Sequence, residues 1–253
     1  MTTMMNRPAS APGHSAGKKG LIERLNIVTA FALGTVSAVV VWQLALKFMP
    51  ENAETAFFFN REDKIMLLSL IAWFVGFMTG IGALIGPFRW AMGKDLNHDE
   101  NMFLAGKDQG VKRYFRYTTD HKVVGIQYLV TTIIIFFVGG TLAMLIRTNL
   151  GHATGGWLQP QTYNAVVGWH GIIMIVATII MVTGPFGNFI MPIMIGARDM
   201  AFPRLNALSF WLIVAAIPPV FISFFTGGIT TGWTAYNPLA SQSALGMNGY
   251  IAF

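Results

Sequence analysis

Residues 123–146 read VVGIQYLVTTIIIFFVGGTLAMLI, an apolar run without one charged side chain. A helix rises about 1.5 Å per residue and satisfies its own backbone hydrogen bonds, so roughly 20 such residues cross a hydrocarbon core of about 30 Å. Four further stretches pass the same test: Leu25 to Phe48, Ile65 to Phe88, Ala165 to Ile195 and Ala207 to Ile229. The stretch from Ala165 is long enough to tilt or to project. The expected fold class is therefore all-α, a polytopic transmembrane helix bundle with five spans.

Composition agrees. Of 253 residues, 54% are hydrophobic and 11% charged, and the mean hydropathy is +0.55, which leaves too little polar surface for a soluble globule. Cysteine is absent, which excludes disulfides, thiolate metal sites and a cysteine nucleophile within these residues. Any metal must use histidine, carboxylate or carbonyl ligands. The net charge of +6 does not imply nucleic acid, because Lys and Arg lie beside the apolar runs instead of forming a basic face. Topology explains it. With a cytoplasmic N-terminus, every Lys and Arg except Lys47, Arg61, Lys64 and Arg147 falls inside, as the positive-inside rule requires, and the C-terminus lies outside.

Four regions follow. Residues 1–24 read as a flexible basic cytoplasmic tail without a convincing cleavage pattern, 25–91 as two transmembrane helices, 92–121 as a cytoplasmic connection and 122–253 as three more spans. Within the connection, Val111 to Tyr117 (VKRYFRY) reads equally as a basic aromatic helix on the membrane surface and as a solvated loop. No glycine-rich phosphate loop, HExxH motif or nucleophile elbow is present. After Arg204 no charged residue occurs, and GYIAF closes the chain, so an interrupted protein is expected.

Of five histidines, His14, His98, His121 and His152 fall in the tail or connections, where solvation or a local hydrogen bond is the default. His170 lies inside a span, in VVGWHGIIMIV, where a polar group is costly enough to suggest function. Imidazole in an apolar helix suits haem iron, and Gly168 and Gly171 would let a flat macrocycle approach. The competing reading is a hydrogen bond to a neighbouring helix. Asp199, in MPIMIGARDMAFPRLN, stands between Arg198 and Arg204. It could collect protons for a path into the membrane, or form a loop salt bridge. Asn188 and Asn206 flank it, as holders of a water chain or as helix caps. Arg147 ends its span and either snorkels to the interface or bonds a polar haem substituent. Gly139 and Gly140 read as positions of close helix approach.

From about Thr118 the motifs TTDHKVVGIQYLV, GGTLAMLIRTNL, YNAVVGWHGIIMI, GPFGNFIMPIMIGARDMAFPRLNALSFW and TGWTAYNPLA resemble subunit I of haem-copper terminal oxidases. The resemblance covers about half the chain and implies the first three helices of a twelve-helix core, preceded by two extra helices. The family reduces dioxygen with electrons from cytochrome c or quinol and translocates protons. Matched by motif, His170 resembles the axial ligand of the low-spin haem, haem a or alternatively haem b. Asp199 resembles a proton-pathway entrance, with Asn188 and Asn206 as its water-organising amides. Arg147 resembles the arginine that bonds the formyl group of haem a, and Trp233 and Tyr236 resemble residues near the propionates.

Several departures bear on this. GARD in place of GAPD, and one residue fewer between His170 and Asn188, resemble quinol oxidases. Val138 and Leu142, however, occupy the positions of the arginine and aspartate that form the quinol site there, which favours cytochrome c. Ala207 replaces a second asparagine. The family's copper ligands, high-spin haem ligand and second low-spin ligand belong to later helices, so high-spin haem and copper are expected only in a complete complex. The expectation is a proton-translocating oxidase component in a prokaryotic cytoplasmic membrane. Its partners would be the remainder of subunit I on another chain, subunit II, other subunits and lipid. Quinol oxidation and a non-catalytic scaffold are the alternatives.

Overall fold

The computed structural model describes residues 21–50, 61–107, 110–153, 155–225, 228–229, 231–234 and 236. The amino-terminal tail with His14 and the terminal GYIAF lie outside the described residues. Those described form helices α1 (Ile27–Phe48), α2 (Arg61–Ile81), α3 (Ile85–Ala91), α4 (His98–Leu104), α5 (His121–Leu150), α6 (Pro160–Pro185), α7 (Met191–Met194) and α8 (Pro203–Phe225). Two 3-10 turns, Leu21–Arg24 and Gly110–Phe115, and a π-turn, Phe186–Ile190, complete them. Five helical segments are long and apolar enough to span a bilayer, and the protein is an integral membrane protein.

α1 and α2 pair as an antiparallel hairpin because both carry small residues every four positions, Ala30 and Gly34 on one, Gly76 and Gly80 on the other. The close approach lets Thr29 donate to the Gly80 carbonyl at 2.8 Å and Ser37 to that of Ala72 at 2.7 Å. Ala30 is fully buried there. Asn26 closes a capping box with Thr29 at the start of α1, and Arg61 reaches back to the Leu46 and Met49 carbonyls at its end.

The second span stops at Ile81, short of the expected Phe88. Gly82 takes φ +91°, and the Ala83 amide bonds the Met78 carbonyl, a helix-terminating pattern that needs a left-handed residue. Chain reversal there sends α3 and α4 across the end of the bundle, termed here the connection end.

Prolines direct the remaining contacts. Pro219 has no N–H for the Ala215 carbonyl four residues before it, and Trp73 supplies the missing donor from α2 at 3.0 Å. Trp73, Phe77 and Trp211 form an aromatic core between α2 and α8. A second core joins α5, α6 and α8, where Trp169 of α6 stacks on Phe224 of α8 at 5.4 Å.

At the connection end Arg89 donates to Glu100 at 2.6 and 2.8 Å, and Tyr117 donates to the Arg204 carbonyl at 2.6 Å. The Val111 to Tyr117 segment is partly helical, as a short 3-10 turn. Hydrogen bonds from Arg89 hold the Glu100 carboxyl below its usual value, and burial pushes Tyr117 up to about 12, against the opposing Arg204 charge. Glu100 therefore stabilises the connection above its ordinary titration range, and that contribution fades as pH falls through its lowered value. Tyr117 acts at the other limb: between its ordinary 10 and about 12 the unfolded chain loses a proton the folded one keeps, so stability falls as pH rises. Protection factors of amides in residues 98–120, which normalise for base-catalysed exchange, are expected to fall above pH 10 in the native protein and to lose that pH dependence in Tyr117→Phe.

Candidate functional site

His170 is half-buried on α6, with Nδ1 2.9 Å from the carbonyl oxygen of Gly139 on α5. A carbonyl can only accept, so Nδ1 carries a proton, and in the neutral imidazole Nε2 then keeps its lone pair. Gly139 gives the bond room: a Cβ there would meet Met174 Sδ at 2.7 Å and Ile173 Cγ2 at 3.0 Å, so these α6 side chains would have to shift. Of the two readings of His170, the interhelical hydrogen bond is made by one ring nitrogen. The other stays available as a ligand, and an orienting carbonyl on the opposite nitrogen is the usual arrangement of a metal-bound imidazole.

The flanking glycines do not serve as expected. Gly168 is covered by the Ile229 carbonyl, 2.8 Å from where a Cβ would stand, and Gly171 lies against Trp233, whose Cβ would be 3.5 Å away. Both therefore seat the segment after α8 and are not open to a flat ring. Gly168→Ala should cost about 1–3 kcal/mol through this clash, whereas Gly171→Ala, meeting only ordinary contacts, should leave thermal stability nearly unchanged. Open space occurs instead at Gly140, where a Cβ would meet no described atom within 4 Å. Gly140 was expected to serve close helix approach; only Gly139 does.

Gly140, Met144 and Arg147 follow at i, i+4 and i+7, so they share one stripe of α5, beside the carbonyl that His170 engages. Met144 and Arg147 are exposed, and the Arg147 side chain makes no hydrogen bond or ion pair with a described residue. Trp233 is thus brought to the turn of α6 that bears His170. Tyr236 is exposed, with no described contact to that turn.

The remaining candidates gather elsewhere. His170 and Asn188 are separated by about 27 Å along the helix, at about 1.5 Å per residue. Asn188 is buried in the π-turn, where Nδ2 donates to the Gly184 carbonyl at 2.7 Å and Oδ1 has no partner. On the first turn of α8, Asn206 is half-buried, and its Nδ2 likewise lacks a partner. One unpartnered acceptor and one unpartnered donor suit ordered water. Asp199 is exposed in the turn between α7 and α8 and, among the described residues, accepts only from the Met200 amide at 2.8 Å. The expected loop salt bridge does not form: neither Arg198 nor Arg204 pairs with Asp199, and the Arg204 guanidinium lies against Gly86.

His121, expected to be solvated or locally bonded, is buried and reaches the Asn188 backbone carbonyl at 2.8 Å. Pro192 explains this, since it lacks the N–H that would bond residue 188. Close by, Tyr128 shares a 2.8 Å hydrogen bond with Ser209, which donates to the Asn206 carbonyl at 2.7 Å. Sequence reasoning missed both links; the proline four residues beyond Asn188 was the available signal for the first. Among the described residues, no three His, Cys, Asp or Glu side chains gather as a metal site; His121 at the start of α5 and His170 within α6 each present an imidazole oriented by a backbone carbonyl.

Comparison with known proteins agrees with the motifs. The family described as Cytochrome C and Quinol oxidase polypeptide I matches residues 123–252, just over half of the chain. Cytochrome c oxidase subunit 1 of Thermostichus vulcanus is 50% identical over 132 residues, 52% of this chain and 24% of that protein. The Synechocystis sp. protein of the same name is 46% identical over 130 residues, 51% and 24% of the two chains. A heme-copper oxidase subunit I+III of Aeropyrum pernix is 43% identical over 131 residues, 49% and 16% of the two chains. The chain spans about a quarter or less of the length of these curated relatives. With an oriented histidine in an apolar helix, the expected motif order and a family match over half its length, the chain belongs to the cytochrome c and quinol oxidase polypeptide I family.

Proposed function

We propose that this chain acts as the N-terminal part of subunit I of a respiratory cytochrome c oxidase, in which His170 would hold the low-spin haem and Asp199 would open a path for protons. The observation that carries the reading is the Nδ1 bond of His170 to Gly139, which frees Nε2 for iron. When bound, a low-spin haem supplies one-electron transfer towards dioxygen reduction. Arg147, on the stripe with Gly140, would donate to a polar ring substituent, a formyl group if the haem is haem a. Trp233 and Tyr236 would lie towards the propionates.

At the connection end, for which the positive-inside distribution supports a cytoplasmic side, Asp199 takes up protons from water. Asn188 Oδ1 and Asn206 Nδ2 then hold water leading inward. A further ligand of that haem, and the residues that would hold the high-spin haem and copper, would come from the remainder of subunit I, working with subunit II. Cytochrome c is the donor we favour over quinol, because Val138 and Leu142 offer no polar group to a quinol head. The Asp199→Asn variant is expected to slow turnover and proton uptake together by at least about tenfold, as loss of a positioned proton carrier does. The proposal as a whole is tested by purifying the assembly through a tag on this chain. It should contain haem, consume dioxygen with reduced cytochrome c and resist quinol-site inhibitors; a haem-free assembly without oxygen uptake would establish the scaffold instead.

A further inference from the structure

A cavity of about 360 Å³ opens at the connection end, between α4, the turn that follows it and the first turn of α8. Its polar lining is His98, Asn101, Lys107, Thr119 and Arg204, and among the described residues it contains no carboxylate. Glu100, the buried acid of α4, is not part of it and is taken up by Arg89. Backbone carbonyls tie the segments together. The Thr119 amide donates to the Leu104 carbonyl at 2.7 Å, closing the loop that carries Lys107, and Tyr117 holds the Arg204 carbonyl at 2.6 Å. Gly106, at φ +64°, turns the chain between α4 and Lys107.

Two permanent cations therefore face one cavity, and the side chains of Lys107 and Arg204 make no hydrogen bond or ion pair with a described residue. An anion is the occupant that relieves their repulsion; a metal ion would add to it and a neutral solute would leave it unmet. A phosphate group suits the pair, since its oxygens accept from the planar guanidinium fork and from an ammonium at once. The volume lies at the small end of the roughly 300–1,000 Å³ usual for small-molecule sites, room for a phosphate with a short organic remainder beside Met102 and Asn101. A phospholipid would also need a trough for its acyl chains. The large apolar cavity among α1, α5, α6 and α8 shares no lining residue with this one. Arg204 lies within the family match at residues 123–252, whereas His98, Asn101 and Lys107 precede it, so two parts of the chain build the site jointly.

We propose that this cavity binds a soluble phosphate-bearing anion, its phosphate held by Arg204 and Lys107 with His98 and Asn101 as neutral partners. The inference uses neither His170 nor Asp199, so it and the oxidase reading can fail separately. The test is titration of the full assembly, purified in mild detergent and phosphate-free buffer, with inorganic phosphate and with pyrophosphate, followed by calorimetry at constant ionic strength. Both should bind saturably at one site per chain, pyrophosphate the tighter. Arg204→Gln should weaken pyrophosphate on the order of tenfold and Lys107→Gln about fivefold, the loss of one charged partner each. Lys107 is exposed on a turn, so its variant carries the test should Arg204→Gln fail to assemble. Lys94→Gln, which removes an exposed lysine outside the cavity, should leave the affinity unchanged. Unsaturable binding, or equal weakening by Lys94→Gln and Lys107→Gln, would reduce the effect to diffuse surface charge and overturn the proposal. So would mass spectrometry showing a co-purified anionic phospholipid that Lys107→Gln loses and Lys94→Gln keeps, since a lipid headgroup would then be the occupant.

Discussion

His170→Ala is expected to yield an oxidase without the optical signature of low-spin haem, turning over at less than about one-hundredth of the native rate. Changes one shell beyond a metal already cost 10- to 100-fold, and this one removes the ligand itself. The reasoning runs through Gly139. Its missing side chain allows α5 and α6 to close, its carbonyl fixes the proton on Nδ1, and the lone pair on Nε2 follows. Were His170 only a link between helices, alanine would cost about 1 kcal/mol of stability, the worth of one hydrogen bond, and leave the spectrum intact. Optical spectroscopy of the reduced assembly, together with its melting temperature, separates the two outcomes.

Gly80→Val carries the largest expected effect on stability. A Cβ at position 80 would stand 2.5 Å from the Thr29 carbonyl oxygen and 2.6 Å from the Ala30 Cα, both backbone atoms that cannot swing aside. α1 and α2 would have to part, losing the Thr29 bond to Gly80 and the seat of Ala30. Steric overload of 1–3 kcal/mol and about 1 kcal/mol for the hydrogen bond make a loss of about 3 kcal/mol. Gly140→Val, in open space, should cost far less. Thermal denaturation in detergent, monitored by aggregation of the purified protein, compares the two; equal melting temperatures would contradict the assignment of the α1–α2 contact.

Much of this was legible in the residues. Hydropathy marks five spans because each must shield its backbone from lipid over the whole membrane thickness, a requirement that no tertiary contact can hide. The break at Gly82 was concealed by the apolar residues on both sides of it, since hydropathy does not register a left-handed φ. His170 stood out because a histidine amid VVGW and GIIMIV has no cheap place in a bilayer. His121, three residues after Thr118, gave no such contrast, and its burial depends on a carbonyl released by Pro192 more than seventy residues away in the chain. Asp199 was identifiable by its motif, but its freedom from ion pairing was not. That depends on where the Arg204 side chain lies, which Gly86 on a different helix decides. Likewise, the glycines around His170 suggested room for a ring, while the segment carrying Ile229 and Trp233, distant in the sequence, occupies that room.

The most direct measurement replaces His170 with glycine and supplies free imidazole to the purified assembly. The account predicts that the low-spin spectrum is lost in His170→Gly and returns, with part of the electron transfer, as imidazole saturates the vacated position. A low-spin spectrum that persists in His170→Gly without imidazole would contradict it.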